Sequence, residues 1–172
     1  MNFDESVSEF SDVILIVGKQ KFYIIKKFLA LHSTYFNALL LGNFSESQKS
    51  EIVLKDIDAK DFQNFLDLIH GETLVEDTTV DGILKLADMY DSKTAIRRCE
   101  NFLTKISQKS TTEKFNLAVK YNLESLKNLT LPLLQTADDI ESVIPKNLQD
   151  FDVSIWNELL LKALNLPRNR YY

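Results

Sequence analysis

The chain has 172 residues, 45% hydrophobic and 26% charged, enough for one buried core and a small appended module. Its formal charge of −5 comes from 25 acidic against 20 basic residues, without the dense Lys/Arg patch that neutralising nucleic-acid phosphates requires. A lone cysteine, Cys99, excludes an internal disulfide, the acidic first residues do not form a signal peptide, and apolar runs fall short of the roughly 20 residues of a spanning helix.

The expectation is therefore a soluble intracellular protein, in cytoplasm or nucleus, with neither nucleic-acid nor membrane partners. Phe3, Val7 and Phe10 are spaced by four and three, as on one face of a short helix. Residues 13–17 form a continuous apolar run, the pattern of a strand covered on both faces, and Gly18-Lys19-Gln20 turns it into a second strand over 21–25. The period then becomes helical. Phe28, Leu29 and His32 share one side, and Ser33 is placed to cap a second helix carrying Phe36, Leu39 and Leu40. Gly42-Asn43 is expected to leave that helix in the left-handed conformation, and a polar loop leads to a third strand over 51–54.

Phe62, Phe65, Leu66 and Ile69 predict an amphipathic helix, capped by Asp58 and closed by Gly71. Val80, Ile83, Leu84 and Ala87 mark the next helix after Thr79, and Ile96, Cys99, Leu103 and Ile106 another. Ser110 with Glu113 reads as a capping box. Beyond it Phe115, Ala118 and Val119, then Leu123, Leu126, Leu129 and Leu133, suggest two antiparallel helices joined at Tyr121-Asn122. A further turn carrying Asp138 and Asp139 as capping charges stops at Pro145. Asp152 then caps a last helix with the stripe Trp156, Leu159, Leu160, Ala163 and Leu164, which is expected to be buried. The end, Arg168 to Tyr172, reads as a frayed tail.

Several of these pieces, in this order, resemble the BTB/POZ domain family over residues 9–106. They are Ser11-Asp12-Val13, Phe22 through Lys26, Leu29-Ala30-Leu31-His32-Ser33 with Tyr35-Phe36, and Leu54-Lys55-Asp56-Ile57 followed by Phe62. Leu86-Ala87-Asp88-Met89-Tyr90 and Cys99-Glu100-Asn101-Phe102-Leu103 complete the set. The resemblance implies an α+β fold, a small sheet of at least three strands flanked by helical hairpins. Residues 107–172 are an all-α extension, similar to the helix pair of cullin adaptors followed by a partial BACK-like region. It also implies a non-enzymatic, homodimeric interaction protein that links an unknown protein substrate to a cullin-RING ubiquitin ligase of the third cullin type. The alternative is a BTB dimerisation protein of transcriptional or cytoskeletal assembly that binds no cullin.

Site residues follow from the same resemblance. Phe44 and Glu46 match the apolar-x-Glu motif of cullin-binding members, whereas Asp12 and Lys26 match the acid and base of a charged pocket between subunits. With them, Phe3, Val7 and Phe10 form the expected dimer interface. Ile25 and His70 depart from the family, which frequently has His and Tyr there. The N-terminal arm is short beside members that exchange a helix and strand between subunits.

No cofactor or metal is expected. His32, His70 and Cys99 fall at no metal-ligand spacing, and His32 and Cys99 read as core residues. Ser33 beside His32 is not a nucleophile pair, because neighbours on a helix point apart and a capping serine explains the position.

Overall fold

The computed structural model of the chain describes residues 2–43, 45–72 and 74–166. The expectation for Arg168 to Tyr172 lies outside these described residues. The chain divides into two compact units, Met1–Phe102 and Leu103–Tyr172.

In the first unit β1 (Val13–Val17) pairs antiparallel with β2 (Gln20–Ile24), setting Val13 opposite Ile24 and Val17 opposite Gln20. The turn passes through Gly18 at φ +60°, a conformation that costs glycine little. The third strand, β3 (Glu51–Leu54), lies on the other side of β1 and parallel to it, giving the order β2-β1-β3. A parallel neighbour needs a crossover. Two helices supply it: α1 (Lys26–His32) and α2 (Thr34–Leu41).

Val13, Leu15, Val17, Phe22, Ile24, Ile52 and Leu54 all face the core. The opposite sheet face is not covered as the apolar run of β1 suggested, for Ile14 and Ile16 are only half-buried there. A Lys21–Glu51 ion pair at 2.7 Å spans that face from β2 to β3.

Ser33 ends α1 and caps α2, its Oγ accepting the Phe36 N–H at 3.0 Å. Gly42 does not take the expected left-handed conformation. Its φ of −76° and ψ of −174° are extended, and its N–H closes a regular bond to the Ala38 carbonyl at 3.1 Å. The chain runs straight out of the helix instead of reversing, so no left-handed residue is required.

α3 (Ala59–His70) is capped by Asp58, which accepts the Lys60 and Asp61 N–H groups, and ends at Gly71 with φ +80°. It drives Phe62 and Phe65 into an aromatic core with Phe22, Phe36 and Tyr90. α4 (Val80–Met89) buries Ile83, Leu84 and Ala87 as its period required. Along α5 (Lys93–Lys105), Cys99 is buried and its thiol is pushed up to about 12, a packed and unreactive group. Ile106, predicted to belong to this stripe, is exposed instead, because the helix has ended at Lys105.

The two histidines meet around Phe28, whose ring stacks on His70 at 4.0 Å and lies 4.7 Å from His32. Burial holds both imidazoles below the ordinary histidine value. His70 and Arg98 reinforce this at His32, while the Leu66 carbonyl, Asp67 and Glu72 oppose it at His70. The unfolded chain therefore binds protons that the folded one resists. The stability held by the neutral rings is complete above the unfolded value of about 6.5 and is lost as pH falls through the lower folded values. The melting temperature should drop between pH 7.5 and 5.5, and His70→Phe should flatten that drop. A wild-type profile flat over this range would contradict it.

In the second unit α6 (Thr111–Lys120) opens on the predicted Ser110–Glu113 capping box, and Asn122 at φ +53° turns the chain into α7 (Glu124–Thr130). α8 (Ala137–Val143) has a second box, with Asp139 accepting the Gln135 and Thr136 N–H groups at 2.9 Å. Asp152 caps α9 (Val153–Leu164), accepting the Ile155 N–H at 2.9 Å.

Two expected stripes are corrected here. Leu129 and Leu133 are exposed, since α7 stops at Thr130 and the turn through Pro132 hands the interior to Leu126, Thr130 and Leu134. On α9 the core takes Ile155 and Leu159, with Trp156 half-buried, whereas Leu160, Ala163 and Leu164 are exposed. Phe115, Ile140, Val143 and Phe151 complete that core from the other elements, and they meet α9 one step round from the predicted stripe.

Candidate protein-interaction surfaces

The loop after α2 is built by local charge pairing and one distant tether. Residues Ser45–Gln48 form a single 3-10 turn, in which the Glu46 carboxylate accepts the Ser45 hydroxyl at 3.0 Å and the Lys49 ammonium at 3.1 Å. The Lys49 bond, with lesser help from the turn's own N–H and Ser45, holds the Glu46 carboxyl below its usual range. Lys26 at the start of α1 reaches the Ser47 carbonyl with its Nζ at 2.8 Å. Phe44, the apolar member of the predicted pair, lies outside the described residues.

Asp12 and Lys26 are brought together, but through the backbone. The Asp12 carboxylate accepts the Lys26 N–H at 2.6 Å and so fixes the start of α1 beside β1, leaving the Lys26 ammonium to the loop.

An open groove of about 300 Å³ lies where the α1–α2 junction meets the α4–α5 turn, lined by Leu31, Ser33, Thr34, Asn37, Asp91 and Lys93. Thr34 donates its hydroxyl to the Asp91 carboxylate and its N–H to the Asp91 carbonyl at 3.4 Å, and Asp91 sits at φ +46°. Hydroxyl, amide and both signs of charge line it beside the exposed Leu31. Sequence reasoning missed this groove, because residues 33–37 and 91–93 carry no joint signal until the fold brings them together.

The N-terminal arm is a 3-10 helix, Glu5–Phe10, that starts at Asp4. Its three predicted interface residues have separate fates. Phe3 is buried within its own chain, edge-on to His70 at 4.9 Å, and its carbonyl accepts the Tyr23 N–H at 2.8 Å. Val7 is half-buried, and Phe10 is 72% exposed. Together with Tyr23, Ile24 and Ile25 they border a second hollow of about 300 Å³, mainly apolar. Phe3 anchors the arm, and Phe10 is its free hydrophobic surface.

The family model described as BTB/POZ domain matches residues 3–107, well over half of the chain. This chain belongs to the BTB/POZ domain family. Among curated proteins, it is 50% identical over 135 residues to BTB and MATH domain-containing protein 15 of Caenorhabditis elegans, covering 78% of this chain and 50% of that protein. BTB and MATH domain-containing protein 45 of the same organism is 38% identical over 94% of this chain and 34% of its own length. Human Kelch repeat and BTB domain-containing protein 2 is 28% identical over 69% of this chain and 19% of its own length. The chain thus spans half or less of these relatives. Its fold is the α+β BTB architecture, and its BTB domain is a protein-interaction module. Among the described residues no helix is long and apolar enough to cross a membrane.

Proposed function

We propose that this chain is a homodimeric adaptor that links a protein substrate to a cullin-RING E3 ubiquitin ligase of the third cullin type. In this reading residues 9–106 are the BTB domain. Residues 107–172 supply the cullin-adaptor helix pair and the start of a BACK-like region. The observation that carries it is the loop after α2: Lys26 and Lys49 hold the turn at Ser45–Gln48, so Glu46 is presented from a fixed frame. A preformed loop loses little freedom on docking, which favours affinity. Adaptor and cullin then place the substrate near the RING-associated ubiquitin-conjugating enzyme, with no chemistry from the chain itself.

A second reading, a BTB scaffold that binds no cullin, is favoured by one detail. The Glu46 carboxylate already has two partners, Ser45 and Lys49, and would exchange one of them on binding. Calorimetric titration of the purified chain with the cullin N-terminal region decides: saturable 1:1 binding per protomer supports the adaptor, and no heat at tens of micromolar supports the scaffold.

The dimer rests on Phe10. An exposed phenylalanine beside an apolar hollow is surface that a second copy would cover, and specific interfaces bury about 1,200–2,000 Å² in total. Phe10→Glu should convert the dimer to monomer in light scattering at micromolar protein, with the far-ultraviolet circular dichroism of a folded chain retained. Phe3→Ala should instead destabilise the first unit, since its ring is buried in cis. A monomeric wild type would end this part of the proposal.

A further inference from the structure

Helix α1 begins without a cap of its own. Ile25, at the N-cap position, has no side-chain oxygen to offer, and no acidic residue stands in the first turn. The missing acceptor comes from outside the helix: the Asp12 carboxylate, at the entry to β1, takes the Lys26 N–H at 2.6 Å. Asp12 is fixed in turn by its own N–H, which donates to the Ile24 carbonyl of β2 at 3.1 Å. The first residue of α1 is thus held on the sheet.

Lys26 passes that hold on. Its backbone amide is bound to Asp12, and its ammonium spans to the Ser47 carbonyl at 2.8 Å in a partly buried contact. Ser47 lies within the turn Ser45–Gln48, and a cation is favoured beside the last carbonyls of a helical turn. Around it the Lys49 N–H returns to the Glu46 carbonyl at 3.0 Å, and the Ser50 carbonyl takes the Ile14 N–H of β1 at 2.8 Å. The loop is therefore pinned to β1 at its end and to α1 at its middle. Pinned at the end alone, it would keep freedom around Glu46 that docking on a partner must remove.

We propose that Asp12 and Lys26 are positioning residues for the Glu46 loop, Asp12 by fixing Lys26 and Lys26 by holding the Ser47 carbonyl, and that neither pairs across a dimer interface. The family resemblance would set this acid against this base between subunits. Here the carboxylate serves a backbone amide, and the ammonium a backbone carbonyl, of the same chain. The consequence for cullin binding rests on the adaptor reading, whereas the consequence for the order of the loop does not.

The test is backbone amide relaxation of the full chain by NMR, read at Glu46 and Lys49, for wild type, Lys26→Met, Lys26→Arg, Asp12→Ala and Asp12→Asn. Methionine keeps an apolar stem and removes the donor, while arginine retains a donor and asparagine an acceptor. In wild type both amides should show order parameters near the ~0.85 of rigid backbone, falling below ~0.6 in Lys26→Met and Asp12→Ala. Those of β1 and α3 should stay unchanged, and Lys26→Arg and Asp12→Asn should restore the loop. Light scattering should give Lys26→Met the wild-type mass, and calorimetry with the cullin N-terminal region should give it about tenfold weaker binding. Should Asp12→Ala fail to fold, Lys26→Met decides alone. A loop already mobile in wild type, order parameters unchanged in Lys26→Met, a loss that neither arginine nor asparagine restores, or a lower mass for Lys26→Met would overturn the proposal. A wild type that binds no cullin would end the adaptor reading and leave the relaxation result to decide this one.

Discussion

Replacing Phe44 and Glu46 together by alanine should weaken cullin binding by thirtyfold or more, while the dimer mass and the melting temperature stay at wild-type values. The expectation rests on the proposed adaptor function. Binding energy at protein interfaces concentrates in a few anchors, aromatic ones prominent among them, and truncating such an anchor typically costs about 2 kcal/mol or more. Glu46 contributes differently. Its carboxylate accepts bonds from Ser45 and Lys49 within an exposed turn, and a partner's donor can replace the lysine at small cost because exposed ion pairs are weak. A charge-assisted bond formed at a closing interface is stronger than the one surrendered. Stability is expected to survive, since Lys26 holds the turn by the Ser47 carbonyl and needs neither substituted side chain. Titration calorimetry and light scattering on the same samples check both halves. Equal affinity of mutant and wild type would exclude the site, and loss of the fold would assign Phe44 to the core.

Phe62→Ala should cost the first unit about 3–5 kcal/mol, a large share of the roughly 5–15 kcal/mol that keeps a domain folded. Phe62 is 0% exposed and stands at the centre of the aromatic cluster. Its ring meets Phe22 edge-on at 5.0 Å and lies 6.2 Å from Phe65 and 6.4 Å from both Phe36 and Tyr90. These partners come from β2, α2, α3 and the end of α4, so the deleted ring touches four elements at once. A cavity among side chains held by four elements closes poorly, which places the cost at the upper end. Denaturant unfolding followed by circular dichroism should show a markedly lower midpoint, with Phe62→Leu recovering much of the loss because it leaves a smaller cavity. An unfolding free energy within about 1 kcal/mol of wild type for Phe62→Ala would show that the cluster does not organise the unit.

Local chemistry made much of the fold legible. Ser33, Asp58, Gly71, the Ser110–Glu113 box and Asp152 each act within four residues of their own position, and each does so in the structure. The hairpin at Gly18 and the three strands are read the same way, from a turn residue and the apolar runs beside it. Ordered along the chain, these signals carried the BTB resemblance, and with it Glu46, Asp12 and Lys26 as residues to inspect.

What remained was decided by distance. That β3 lies parallel to β1, that Lys26 spends its charge on the Ser47 carbonyl, and that Thr34 ties the α1–α2 junction to Asp91 are contacts between segments that periodicity treats separately. Phe3 and Phe10 share a predicted helical face, yet one is buried against His70 and the other is exposed, because the Phe3 carbonyl is tied to the Tyr23 N–H of β2 and carries its ring inward. On α9 both faces are apolar, and hydrophobic content cannot select between them. Phe115, Val143 and Phe151 did so by occupying one side. A sequence encodes its caps and periods within a turn or two of chain, whereas which of two greasy faces is inside depends on where other elements arrive.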